Sequence, residues 1–203
     1  MINLVFRNSN LIFLLVIIGS ILIGCFKKVS ETVRDESAGI NGGFEVIKSG
    51  LPVNWLIYSP KTIPTGNYDL ILDTVEYVEG KQSLKFLVHE CSAMGGWYSP
   101  GFCNEFKAIP AQMYKISFWI KNDGCEFMVR IGGVGTKIGK YEIIVNSKES
   151  YNEWKYFEYD YKMPAEEEYN RLRLETSILH PGNFQIDDIK IADIHGESVV
   201  PII

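Results

Sequence analysis

The run NFQIDDIKIADI, Asn183 to Ile194, alternates apolar and polar residues at period two, as a β-strand with one buried face does. Its phase changes midway. Phe184 and Ile186 occupy even positions, whereas Ile189 and Ile191 occupy odd ones. The adjacent aspartates Asp187 and Asp188 stand at the change, which predicts a bulge there. A carboxylate in an otherwise apolar strand is costly to bury unless a lysine, backbone N–H groups or a cation meets it.

The strand pattern extends upstream. Alternating or apolar runs predict strands over Phe44–Lys48, Trp55–Tyr58, Asp69–Tyr77, Gln82–His89, Phe102–Ala108, Tyr114–Lys121, Glu126–Ile131, Tyr141–Asn146, Trp154–Lys162 and Arg171–Thr176. In Tyr114–Lys121, Tyr114, Ile116, Phe118 and Ile120 share one face, and Lys115, Ser117, Trp119 and Lys121 the other. Turn signals such as PTGN, KNDG and HPGN separate the runs, and no long segment has a 3.6-residue period. Many short strands with spaced turns predict an all-β sandwich or jelly roll.

The chain opens differently. Leu11–Gly24, LIFLLVIIGSILIG, is too short for a bilayer span and suits the core of a signal peptide. Leu22-Ile23-Gly24-Cys25 resembles a bacterial lipobox, which implies acylation of Cys25 and removal of residues 1–24. The competing reading is an uncleaved anchor. Residues 25–40 are polar and aperiodic and read as a lipidated tether, 41–195 as the sandwich and 196–203 as a C-terminal tail. The expected location is therefore the bacterial envelope, with the membrane as partner through the lipid. The whole chain carries a net charge of −5 and no basic cluster outside the Lys27-Lys28 pair, which argues against nucleic acid.

Beyond Cys25 three cysteines remain, an odd number. Cys91 and Cys103 bracket the Gly-rich aromatic segment SAMGGWYSPGF, so a bridge between them is expected, with Cys103–Cys125 as the rival. Without a CxxC motif, and with scattered histidines, no zinc site is expected.

Asn41-Gly42-Gly43-Phe44-Glu45 followed by Trp55, then EGKQSL at 79–84, AQMY at 111–114, Trp154 before Met163-Pro164, and QIDDI at 185–189 form an ordered series. In order and spacing it resembles carbohydrate-binding modules of the cellulose- and xylan-binding type, which are galactose-binding-like jelly rolls. The resemblance spans Asn41–Ile194 and implies a sugar-binding sandwich. It also implies a structural calcium held by Glu45 and Asp187 with carbonyls of the turn at Gly80–Gln82, and core positions for Trp55 and Trp154. The competing reading is that Glu45 and Asp187 only accept hydrogen bonds.

Strand phase then nominates binding residues. Trp119 lies on the non-core face and is suited to stacking on a sugar ring. Arg130, Arg173, Glu175, Lys85 and His89 also oppose core residues and are expected to share its face, unless a loop covers Trp119. Trp97 and Tyr98 offer a second, rim surface. No residue pair suits glycosidase chemistry and no GxSxG nucleophile motif is present, so no catalysis is expected, and the resemblance implies a non-catalytic binder of a carbohydrate polymer or oligosaccharide. An envelope protein partner is the alternative, and a hydrolase a distant third.

Overall fold

The computed structural model describes residues 33–57, 65–136 and 139–202. The strands are β1 (Ile47–Lys48), β2 (Leu51–Pro52), β3 (Leu56–Ile57), β4 (Asn67–Asp73), β5 (Ser83–Glu90), β6 (Ser92–Met94), β7 (Trp97–Ser99), β8 (Gly101–Lys107), β9 (Met113–Asp123), β10 (Phe127–Val134), β11 (Lys140–Ser147), β12 (Tyr151–Lys162), β13 (Arg171–Ile178) and β14 (Gly182–Asp193). They form two five-stranded sheets, ordered β11-β10-β13-β8-β3 and β12-β9-β14-β5-β4, plus the ribbons β1-β2 and β6-β7. All strand pairs are antiparallel.

The expected alternation builds the core. Tyr114, Ile116, Phe118 and Ile120 of β9 are buried, and so are Leu172, Leu174 and Ile178 of β13. Rings meet across the two sheets: Phe86 stacks on Phe102 at 5.6 Å, and Phe127 lies 5.0 Å from Phe184. Burying each such side chain contributes about 1.5–3 kcal/mol, so this aromatic seam is a principal source of stability.

The phase change in the last strand is a bulge. Asp187 faces Trp119 of β9, but the next pair is Lys190 with Ser117, so β14 carries one extra residue. Asp188 absorbs it at φ 53°. Ile186 therefore points into the core before the bulge, and Ile189 and Ile191 do so after it. Freed from the ladder, the Ile189 N–H donates to Gly42 O at 3.1 Å. Only glycine permits this approach, because a Cβ on Gly42 would lie 1.8 Å from Ile189 O.

Both ends of the sandwich depart from expectation. Residues 33–40, read as tether, are held by Asn54: its Oδ1 accepts from Asp35 N–H at 2.8 Å, and its Nδ2 donates to Asp35 O and Gly39 O. Residues 196–202, read as a tail, extend the sheet. Lys107 N–H donates to Val200 O at 2.9 Å, Ile202 N–H donates to Glu105 O at 2.7 Å, and Val199 is buried in the core. The cause is a vacancy on β8, whose pairing with β3, among the described residues, covers Phe102 and Cys103 and leaves residues 105–107 unpaired on that side. An open edge is a liability, and the final segment caps it. Trp154 is partly exposed and lies outside the core, because β12 leaves the β9 ladder between Tyr151 and Lys155.

Candidate functional site

The face of the β11-β10-β13-β8-β3 sheet that points away from the core carries charge. Alternation sends Leu172 and Leu174 inward and Arg171, Arg173 and Glu175 outward. On β8, Phe102 and Phe106 turn inward, leaving Cys103 and Glu105 outward. On β10, Arg130 lies between the core residues Val129 and Ile131. The ladder then sets opposite charges side by side, because Arg130 is directly opposite Glu175, and Arg173 opposite Glu105.

Ion pairs join the row. Arg130 Nη2 donates to Glu175 Oε1, and Arg173 Nε lies 3.3 Å from Glu175 Oε2. Arg173 Nη1 and Arg171 Nη1 donate to the two oxygens of Glu105 at 3.3 and 2.8 Å, and Arg171 also donates to Gly135 O. Although this face points outward, Cys103 is 0%, Glu175 3% and Glu105 8% exposed, so the row is a recessed floor.

Two aromatic rings stand at its margins. The segment containing Trp97 is a β-hairpin, turned by Gly95 and Gly96 at φ 60° and 84°, and it brings Trp97 to 5.5 Å from the Arg173 guanidinium. From the edge strand β11, Tyr141 lies 5.6 Å from the Arg130 guanidinium. Tyr141 is opposite Gly132, whose missing side chain makes room for the ring. Burial pushes the Tyr141 phenol pKa upward, Arg173 and Arg130 pull it down, and Glu105 and Cys103 push it up. The hydroxyl is thus a neutral donor at physiological pH. Trp97 and Tyr141 each retain 38% exposure, so both rings present surface to solvent. Aromatic margins over a floor of fixed donors and acceptors can stack on apolar faces and hydrogen-bond hydroxyl groups simultaneously.

Of the residues nominated from sequence, Arg130, Arg173, Glu175 and Trp97 meet here. Tyr98 follows Trp97 on β7 and takes the other side of that hairpin. Trp119 and His89 belong to the other sheet, in β9 and β5. Trp119 packs 5.0 Å from Tyr156, and His89 pairs with Asp69 at 3.3 Å. The expectation of one shared face therefore fails: strand phase separates inward from outward but does not say which of two sheets a strand joins. Tyr141, Glu105 and Arg171 were missed. Each stands at an outward position of a recognised strand or beside one, and only the register brings them together.

The cysteines do not bridge. No disulfide joins Cys91, Cys103 and Cys125 to one another. Cys103 lies on the charged floor, while Cys91 packs against the core cluster that contains Cys125. The loop read as closed by Cys91–Cys103 is instead the hairpin β6-β7.

At the bulge, the resemblance implies a cation between Glu45 and Asp187. The structure gives these carboxylates N–H donors. Asp187, fully buried, accepts from Val78 N–H at 2.7 Å, Glu79 N–H at 3.2 Å and Asp188 N–H at 2.7 Å. Glu45 Oε1 accepts from Lys81 and Gln82 N–H at 2.8 and 3.3 Å. The nearby acids Glu79 and Asp188 share the Lys190 ammonium, at 3.1 and 2.9 Å. Calcium needs converging oxygens, whereas here N–H groups and an ammonium meet the carboxylates, so this donor set does not fit it. Cys25 and the lipobox lie outside the described residues.

No family model matches the chain, and no curated protein matches it. Solved structures do. The C-terminal family 22 carbohydrate-binding module of Clostridium thermocellum Xyn10B aligns with TM-score 0.53 at 17% identity, over 77% of this chain and 94% of the module. The family 22 xylan-binding domain of Paenibacillus barcinonensis Xyn10C aligns with TM-score 0.52 at 13% identity, over 86% of this chain and all of that domain. The enzymatically active domain of bacteriophage CBA120 tailspike protein 4 aligns with TM-score 0.57 at 15% identity, but this chain covers only 21% of it. The chain therefore has the jelly-roll β-sandwich fold of these carbohydrate-binding modules.

Proposed function

We propose that the protein is a non-catalytic glycan-binding module, displayed on the bacterial envelope by a lipid on Cys25. The observation that carries the reading is the recessed floor of Arg130, Glu175, Arg173 and Glu105 between the exposed rings of Trp97 and Tyr141. Solvent-facing aromatics beside fixed polar groups suit a sugar, whose rings have apolar faces and hydroxyl rims. That modules of families 22 and 4 share the fold supports the reading. The two carboxylates of the floor are each held by arginine, which suits hydrogen bonding rather than acid–base chemistry. The membrane anchor rests on Leu22–Cys25 alone.

Sugars exchange water hydrogen bonds for protein ones at little net gain, so single-site affinity is modest. A lipid anchor overcomes this by avidity, with many copies meeting one polymer. Affinity electrophoresis of the full chain through gels containing different polysaccharides tests the reading. At least one polymer is expected to retard the wild type. The absence of retardation by every plant, bacterial and animal glycan tried would contradict it.

A further inference from the structure

The floor holds three arginines and two glutamates, a surplus of one positive charge in a chain whose net charge is −5. Each glutamate is already shared by two arginines: Glu175 lies between Arg130 and Arg173, and Glu105 between Arg171 and Arg173. Arg171 is 38% exposed, whereas Arg130 and Arg173 are only 22% and 13% exposed, so their positive charge is partly withdrawn from water, where a counter-charge is worth more. A specific donor also waits there, since Arg130 Nε is buried with no hydrogen-bond partner. A sugar hydroxyl accepts one bond and leaves the charge standing. A carboxylate or sulfate accepts from a guanidinium edge and cancels the charge as well.

We infer that the glycan is anionic, bearing a carboxylate or sulfate that docks at Arg130 between Tyr141 and Trp97. This rests on the glycan-binding reading and narrows it to a ligand class. The aromatic margins contribute stacking, which neutral and acidic sugars share, and Arg130 discriminates between them.

The test is a titration of the full chain, in a sugar-free non-ionic detergent, with oligogalacturonate, a sulfated glycosaminoglycan oligosaccharide and neutral xylo-oligosaccharide of matched length. One of the two anionic ligands is expected to bind at least about tenfold tighter than the neutral one at low salt. That margin should shrink as salt is raised, because screening acts on the charge and not on stacking. The anionic arm that binds identifies the source of the charge. Arg130→Gln should erase the margin, and the salt dependence of the wild type supplies the same information should that variant not fold. Equal or tighter binding of the neutral oligosaccharide, still sensitive to Trp97→Ala, overturns the anionic inference and keeps the site. Binding of no glycan overturns both.

Discussion

Asp187→Ala removes the carboxylate that joins the 74–82 loop to the last strand. Three N–H groups lose their acceptor, those of Val78, Glu79 and Asp188. Hydrogen bonds to a charged acceptor are each worth about 1.5–3 kcal/mol and do not add fully, so a loss of about 4 kcal/mol is expected. In a protein of this size each kcal/mol moves Tm by about 2–4 °C, which places the variant roughly 8–16 °C below the wild type. Asp187→Asn keeps one oxygen acceptor and should lose about half as much. Burial raises the pKa of Asp187 and the Asp188 charge adds to the rise; the three N–H bonds lower it but do not reverse that direction. The native state therefore holds this proton more tightly than the unfolded chain. Ionised Asp187 costs stability at neutral pH, and the cost fades as pH falls through the raised value toward the ordinary ~3.9. Thermal scans across pH should show the wild type gaining on Asp187→Asn with acidification. Millimolar calcium should leave the wild-type Tm unchanged, because N–H groups and Lys190 already meet these acids. A drop of less than ~3 °C in Asp187→Ala, or a calcium-dependent rise of several degrees in the wild type, would refute the hydrogen-bonded clasp.

Other positions give independent checks. Glu175→Ala leaves Arg130 and Arg173 recessed without their shared carboxylate and should cost about 3–5 kcal/mol by denaturant titration, with Glu175→Gln costing less. Gly42→Ala forces a Cβ against Ile189 O, a backbone atom that cannot swing away, and should cost at least ~2 kcal/mol in the same assay. Burial pushes the Cys91 thiol to about 11 and the Cys125 thiol to about 12, so alkylation of these two residues in the native protein at neutral pH should be slow by peptide mass mapping. Reductant should not change Tm, since no bridge joins Cys91, Cys103 and Cys125.

The sandwich was legible because period-two alternation reports burial directly, and strands such as Tyr114–Lys121 kept one phase throughout. The bulge was legible for the same reason, because a phase slip at Asp187-Asp188 has few other geometric solutions. Alternation carries no information about pairing partners. Trp119 and Arg130 therefore looked alike from sequence, and only the strand order separates them onto opposite sheets. Tyr141 and Glu105 were hidden in the same way, each gaining significance from a cross-strand neighbour. The cysteine pairing misled because closeness in sequence stood in for closeness in space, and the intervening residues form a hairpin that needs no bridge. Docking of residues 196–202 on β8 was equally invisible, since an unpaired edge has no signature in the strand that owns it.

The central claim is that the sheet bearing Arg130, not the one bearing Trp119, meets the ligand. The most direct measurement compares Trp97→Ala with Trp119→Ala for binding of whichever polysaccharide retards the wild type, with thermal scans to confirm that both variants fold. Loss of about two- to tenfold in affinity for Trp97→Ala, with Trp119→Ala unchanged, is the expected result, since stacking on one aromatic ring is worth about 0.5–1.5 kcal/mol. Binding that survives in Trp97→Ala but disappears in Trp119→Ala would place the sugar on the opposite sheet and contradict the account.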